Sequence, residues 1–200
     1  MCGADFINQY CFGLIMSASW SSILKRRDER HLFEVRSAIK GAGRTVGFVV
    51  GFSDRLILFN VLDMDTFRLN GYSAIRLEDV KDYRDFNKDK FWLNRAARLF
   101  KLSPVRPRGI LLSSVREFLA SVSKRYTLIT LHPERVKPDI CYIGSLLTMT
   151  EATFTIDDLD FNAEWTGSRR LKFTDITRFD FDSGYEKALA ASAPKQRKKR

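Results

Sequence analysis

The sequence predicts a mainly β protein of the α+β class, built as two tandem small barrels, each with a leading helix and about five antiparallel strands. Short segments alternate apolar and polar residues between turns rich in Gly, Asp, Asn and Ser. Phe is frequent, with 16 in 200 residues, and aromatic residues suit half-buried strands. A residue pattern also recurs after about 95 positions. We therefore expect a first unit at 17–93, a basic linker at 94–109, a second unit at 110–190 and a disordered basic tail at 191–200.

The recurring pattern is carried by turn and strand residues. The stretch 59–65 (FNVLDMD) matches 154–160 (FTIDDLD) at an offset of 95, where Phe59, Asp63 and Asp65 correspond to Phe154, Asp158 and Asp160. The stretch 71–80 matches 167–176 at an offset of 96 without a gap, and both begin with Gly. An offset that drifts by so little over many positions indicates an internal repeat rather than chance similarity.

Each predicted unit begins with a helix. Apolar residues at helical spacing predict helices over 17–30 and 111–124. Ser113 or Ser114 is expected to cap the start of the second helix, with Glu117 near its first turn.

Strand segments follow in both units, and closing each sheet into a barrel would remove its exposed edges. Gly71 and Gly167 stand between the last two strands, where a sharp bend needs a residue that tolerates positive φ. The strand segments are 32–38, 45–52, 55–62, 67–69 and 74–77, then 126–131, 140–147, 152–156, 161–165 and 170–173. Each unit then adds one closing segment and one short helix: 81–86 with 91–93, and 177–181 with 185–189.

This order of elements resembles the Sm-like fold, a form of SH3-like barrel. In the stretch 144–158, Gly144 in the second strand precedes the acidic Glu151 before the third strand, as in the first Sm motif. Gly47 and Asp54 stand in a similar relation in the first unit. The resemblance implies two tandem barrels of this type.

The same resemblance does not extend to the nucleotide pocket of the family. Phe154, and Leu58 or Phe59 in the first unit, stand near the place of the Asn with which Sm proteins read RNA bases. Asn70-Gly71 and Thr166-Gly167 replace the Arg-Gly or Lys-Gly pair of the second motif. The resemblance therefore implies a fold, and it transfers no site residue to this chain.

Positive charge is concentrated in the connector and the tail. The chain carries a net charge of +10, with +8 over 93–138, −5 over 139–190 and +5 over the last ten residues. Basic groups beside an aromatic such as Phe100 can follow a phosphate backbone and stack a base, although a positive run is also typical of solvated surface. The candidate nucleic-acid-binding residues are Arg95, Arg98, Lys101, Arg106, Arg108, Lys124 and Arg125.

The predicted function is a non-catalytic binding or regulatory module that contacts RNA or DNA through the connector and tail. The alternative is a protein–protein interaction adaptor that uses the barrel edges without nucleic acid, which the acidic second unit favours. A partner is thus expected to be nucleic acid or protein, while the oligomeric state stays open.

Catalytic, cofactor-binding and metal-binding residues are not predicted. His132 is interpreted as part of a turn with Glu134, and the Asp pairs as hairpin turns rather than cation ligands. The odd number of cysteines, three, fits a reducing compartment, and the sequence predicts a cytoplasmic protein without membrane insertion. Met1 and Met16 both remain candidates for the true start.

Overall fold

The computed structural model describes residues 32–86 and 92–195, and the predicted helix 17–30 lies outside these ranges. The described part confirms the mainly β class. Its strands are β1 Leu32–Ser37, β2 Arg44–Phe52, β3 Leu56–Asp63, β4 Arg68–Arg76, β5 Val80–Asp85, β6 Ile129–His132, β7 Tyr142–Met149, β8 Thr153–Leu159, β9 Trp165–Lys172 and β10 Arg178–Phe181. Its α-helices are α1 Trp92–Leu99, α2 Val115–Ser123 and α3 Gly184–Ser192. None of these helices is long and apolar enough to cross a bilayer.

All ten described strands belong to one antiparallel sheet in the order β5-β1-β2-β3-β4-β10-β6-β7-β8-β9. The last five strands of the chain follow the same order as the first five. The two halves meet where β4 pairs with β10, with Ser73 opposite Asp180, and we call this junction the seam. Because the row of described strands ends at β5 and β9, the sheet is not closed. The prediction of two tandem barrels is therefore not confirmed.

The main core lies on one face of the sheet, which we call the inner face, and it runs through both halves. Leu93 and Ala97 of α1 pack there, as do Phe118 of α2 and Phe179 and Phe181 of β10. Smaller clusters cover the opposite, outer face of each half. Strands β2 and β3 are consequently buried on both faces. The alternation of apolar and polar residues predicts strands buried on one face only, which does not hold for these two.

The two glycines predicted at bends do have positive φ, 70° at Gly71 and 105° at Gly167. The chain nevertheless does not break there, since β4 and β9 each run through their glycine as one strand. A register shift between Asn60 and Leu62 of β3 absorbs the irregularity in the first half. The predicted strands 67–69 and 74–77 are thus the single strand β4, and 161–165 and 170–173 are the single strand β9. The predicted closing segments, 81–86 and 177–181, form the fifth strand of each half, β5 and β10.

The helices differ from prediction mainly at their ends. The Ser114 cap is confirmed, because its Oγ accepts the Glu117 N–H at 3.1 Å. Helix α1 continues into the predicted linker, since its buried side chains lie one turn apart on the inner face. Helix α3 runs into the predicted disordered tail, and the Trp165 indole donates to the Pro194 carbonyl at 2.8 Å. Of that tail, residues 196–200 lie outside the described ranges.

Side chains also cross the seam. The Arg76 guanidinium donates to the carbonyls of Phe173 and Ile176, the latter at 2.7 Å. Arg135 donates to the buried Asp79 carboxylate through Nε at 3.0 Å. These bonds join each half to a turn of the other and hold the seam in one register.

Candidate nucleic-acid interface

The turn between β3 and β4 places an aromatic side chain beside α1. Asp63 Oδ1 accepts the backbone N–H groups of Asp65 at 3.0 Å and Thr66 at 2.9 Å, which is the local hydrogen bonding typical of an Asx turn. The bond from Thr66 favours the charged carboxylate and lowers the pKa of Asp63. Phe67 then adopts φ 52°, a left-handed conformation that is uncommon for a bulky residue. The turn therefore holds Phe67 in a costly but defined position.

Three aromatic rings meet at this turn. The Phe67 ring lies 6.1 Å from the Trp92 ring at an interplanar angle of 29°, and 5.2 Å from the Phe100 ring at 50°. Trp92 is 56% exposed and Phe100 is 64% exposed. Large rings that remain exposed while both pack against a third ring provide flat apolar surface to an incoming planar group.

Three of the predicted basic residues lie on the same helix and its end. Arg95 and Arg98 are exposed and one turn apart on α1, opposite the buried Leu93 and Ala97. Lys101 follows at φ 51°, is exposed, and donates its backbone N–H to the Arg98 carbonyl at 3.0 Å. We call the set Phe67, Trp92, Phe100, Arg95, Arg98 and Lys101 the aromatic–basic surface.

The other four predicted residues are also exposed but lie further along the connector. Arg106 lies against β2 near Gly51, and Lys124 is the C-cap of α2. The Arg125 guanidinium covers Gly109, where a Cβ would stand 2.8 Å from Nη2, next to Arg108 in the chain. The structure thus groups Arg95, Arg98 and Lys101 with aromatic rings, and places the remaining four around α2 and the segment before it.

The connector is fixed to the first half of the sheet. The backbone N–H of Val105 donates to Asn60 Oδ1 of β3 at 3.2 Å. Ser53 Oγ, in the β2–β3 turn, donates to the Leu112 carbonyl at 2.6 Å. Because both bonds cross more than forty residues of chain, the segment between α1 and α2 is held at defined points on the sheet.

Sequence reasoning missed Phe67 and Trp92 as members of this surface. The turn before Phe67 was predicted, but its effect on the direction of the ring depends on the left-handed conformation of that residue. Trp92 was assigned to a short helix. The available signal was the continuation of helical spacing from Trp92 to Arg95 and Leu99, which puts these residues on one side of a longer helix.

The described residues hold no group of three or more His, Cys, Asp or Glu side chains arranged to bind a metal ion. His132 ends β6 and does not lie in the predicted turn; its Nε2 is 2.7 Å from Asp180 Oδ2. Comparison with known proteins finds no matching family model, no similar curated protein and no similar solved structure. The resemblance to Sm-like barrels therefore stays a prediction.

Proposed function

We propose that the protein is a non-catalytic module that binds single-stranded RNA or DNA on the aromatic–basic surface. The observation that carries the proposal is the contact of three aromatic rings, two of them more than half exposed, beside Arg95 and Arg98. Bases stack on such rings, and arginines beside them neutralise phosphates. The net charge of +8 over residues 93–138 supports the same partner.

Binding can be measured by fluorescence polarisation of a labelled single-stranded oligonucleotide with the full chain. Stacking of one base on an aromatic ring contributes about 1–3 kcal/mol, so Trp92→Ala should weaken binding by about 5- to 150-fold. The matched control is Phe161→Ala, because Phe161 is an aromatic of the second half that is 83% exposed. Equal affinities for these two variants would contradict the proposal.

Salt dependence tests the charged part of the surface. Each phosphate contact with a single strand contributes about −0.7 to the slope of log K against log salt, so Arg95→Gln with Arg98→Gln should flatten that slope by about 1.4. Arg170→Gln with Lys172→Gln, at exposed positions of β9, should leave it unchanged. Affinity that does not respond to salt in the wild-type protein would exclude the proposal.

The second candidate is a protein-interaction adaptor. Strand β9 pairs with β8 alone among the described strands, and residues 166–170 within it are all exposed. An extended segment of another chain can add to such an edge. Ser168→Pro should then abolish a nuclease-resistant protein interaction that Trp92→Ala leaves intact, and the reverse pattern would count against β9.

We also propose that the two halves are copies of one Sm-like unit, because their strands follow the same order. In both halves the fifth strand pairs with the first, and the fourth strand lies at the far end of its five. At the seam the fourth strand of one half meets the fifth strand of the other. The shared order accords with the sequence offsets of 95 and 96.

A further inference from the structure

Strand β9 is a basic element within an acidic part of the chain. Residues 139–190 contain 5 basic and 10 acidic residues. Three of these five basic residues, Arg169, Arg170 and Lys172, lie in β9, and the strand contains no acidic residue. Among the described strands, β9 pairs with β8 alone. The positive charge of the second half is therefore concentrated at one edge of the sheet.

The backbone of β9 presents hydrogen-bonding groups along this edge. Phe173, directly after the strand, donates its N–H to the Ala152 carbonyl at 3.1 Å. Antiparallel strands bond through every second residue, so Leu171 and Arg169 also direct their N–H and C=O groups toward β8. The residues whose backbone groups point away from the sheet are Ser168, Arg170 and Lys172. An extended segment of another chain can bond to these groups and extend the sheet.

The side chains of β9 alternate between the two faces of the sheet. Leu171 packs against the main core on the inner face, so Arg170 and Lys172 lie on the outer face. Both of these side chains are exposed, and neither forms an ion pair with a described residue. The residues of β8 opposite them are Thr155 and Thr153, which carry no charge. Two positive charges therefore lie on the outer face beside the open edge, without a carboxylate opposite either one.

The inner face of the same edge has a different character. The Arg169 guanidinium lies 4.2 Å from the centre of the Tyr142 ring and donates through Nε to the Asp158 carboxylate at 2.6 Å. Its charge is already paired, and the neighbouring Leu171 is apolar and half-buried. This face of the edge therefore suits an apolar side chain rather than a charged one.

We propose that β9 binds an extended acidic peptide, which places acidic residues opposite Arg170 and Lys172 and an apolar residue between them. Opposing residues of neighbouring strands have side chains on the same face about 5 Å apart, so opposite charges attract there. The apolar residue of the peptide then lies on the inner face beside Leu171. A second copy of β9 would bring like charges together and is not the partner. The inference rests on the second candidate function, the adaptor, and specifies the chemistry of its partner.

The probe is a labelled peptide of alternating Glu and Val residues, titrated with the full chain and followed by fluorescence polarisation. The titration is done at physiological salt, where charges are screened beyond about 8 Å. Saturable binding is expected, with NMR chemical shifts at the backbone amides of 168–172. The control peptide has every Glu N-methylated, so it keeps its charge but cannot donate N–H groups to β9. Loss of two or more hydrogen bonds should weaken its binding by at least about fivefold.

Variants of the chain separate the charge of β9 from its backbone. Arg170→Glu with Lys172→Glu should weaken binding of the Glu peptide by at least about fourfold and create binding of a peptide of alternating Lys and Val. The control is Arg108→Glu with Lys124→Glu, which makes the same charge change at exposed positions of the connector and should leave binding unchanged. Ser168→Pro removes an outward N–H and should abolish binding, whereas Ser168→Ala keeps that N–H and should bind as the wild type does.

The proposal is overturned if the Glu peptide does not saturate, or if charge reversal in β9 has no more effect than charge reversal in the connector. Arg170 and Lys172 would then serve only to protect the edge from aggregation. If the Glu peptide fails while Ser168→Pro still abolishes a protein interaction, the adaptor function stands and the acidic partner is excluded. Displacement of the peptide from β9 by a single-stranded oligonucleotide would identify nucleic acid as the ligand and also overturn the proposal. Trp92→Ala should leave peptide binding unchanged, which separates this edge from the aromatic–basic surface.

Discussion

Gly71 and Gly167 allow a sharp test of the seam. Both have positive φ within the fourth strand of their half. A Cβ added at Gly71 would stand 2.5 Å from the Ser183 nitrogen and 2.7 Å from the Phe181 carbonyl oxygen. A Cβ added at Gly167 would meet no heavy atom within 4 Å. Gly167→Ala therefore tests only the cost of positive φ in an L-residue. Gly71→Ala tests that cost together with the packing of backbone atoms at the seam.

The expected magnitudes follow from these contacts. Positive φ costs an L-residue about 1–2 kcal/mol, which applies to both Gly71→Ala and Gly167→Ala. Displacing backbone atoms in a packed region adds about 1–3 kcal/mol at Gly71 only. Since 1 kcal/mol corresponds to about 2–4 °C in a chain of this length, Tm should fall by about 2–8 °C for Gly167→Ala. The extra penalty should lower it by about a further 2–12 °C for Gly71→Ala.

Thermal unfolding followed by circular dichroism measures both effects, and urea titration gives the matching free energies of unfolding. The near-ultraviolet signal checks that each variant is folded before it is heated. If Gly71→Ala and Gly167→Ala lose the same stability, the contact of β4 with the start of α3 is absent in solution, and the pairing of the two halves described above is wrong.

Two further predictions concern the seam. Arg76→Met removes the guanidinium donors to the carbonyls of Ile176 and Phe173, so it should lower the free energy of unfolding by about 3 kcal/mol. Arg170→Met, at an exposed position of β9, should leave the free energy of unfolding almost unchanged. Similar urea midpoints for the two variants would contradict this prediction. The pKa of Asp180 is lowered in the folded state, so its ionised form stabilises the protein above about pH 4 and this contribution is lost as the pH falls through the lowered pKa. The Tm difference between wild type and Asp180→Asn should therefore be largest near neutral pH and shrink toward pH 2, and a constant difference would show that ionisation of Asp180 is not its source.

Local signals predicted the elements that depend on neighbouring residues. Alternation and turn residues predicted the first and last residues of β1, β2 and β3 with an error of no more than one residue. The cap at Ser114 and the positive φ of Gly71 also follow from local chemistry, because a cap bonds to the next turn and a glycine adopts its own φ without help from distant residues.

The candidate site was only half predicted. Arg95, Arg98 and Lys101 were identified from charge and from the nearby Phe100. Their grouping with Phe67 was not, because that ring reaches α1 from a turn about thirty residues earlier, through a left-handed backbone that alternation does not reveal. Nor did the pattern around His132 indicate Asp180, its partner in a strand 48 positions away.

The sequence by itself thus determined a mainly β chain, most of its strands, and a basic connector between them. Only the tertiary structure decided that the strands form one open sheet, and that β4 runs on through Gly71. It alone placed Ser73 directly opposite Asp180 where the two halves meet. The reason is physical, because burial patterns and turns depend on interactions within a few residues. The pairing of β4 with β10 instead joins segments about 100 positions apart. A local sequence pattern does not indicate which distant strand will pair with the edge of a sheet.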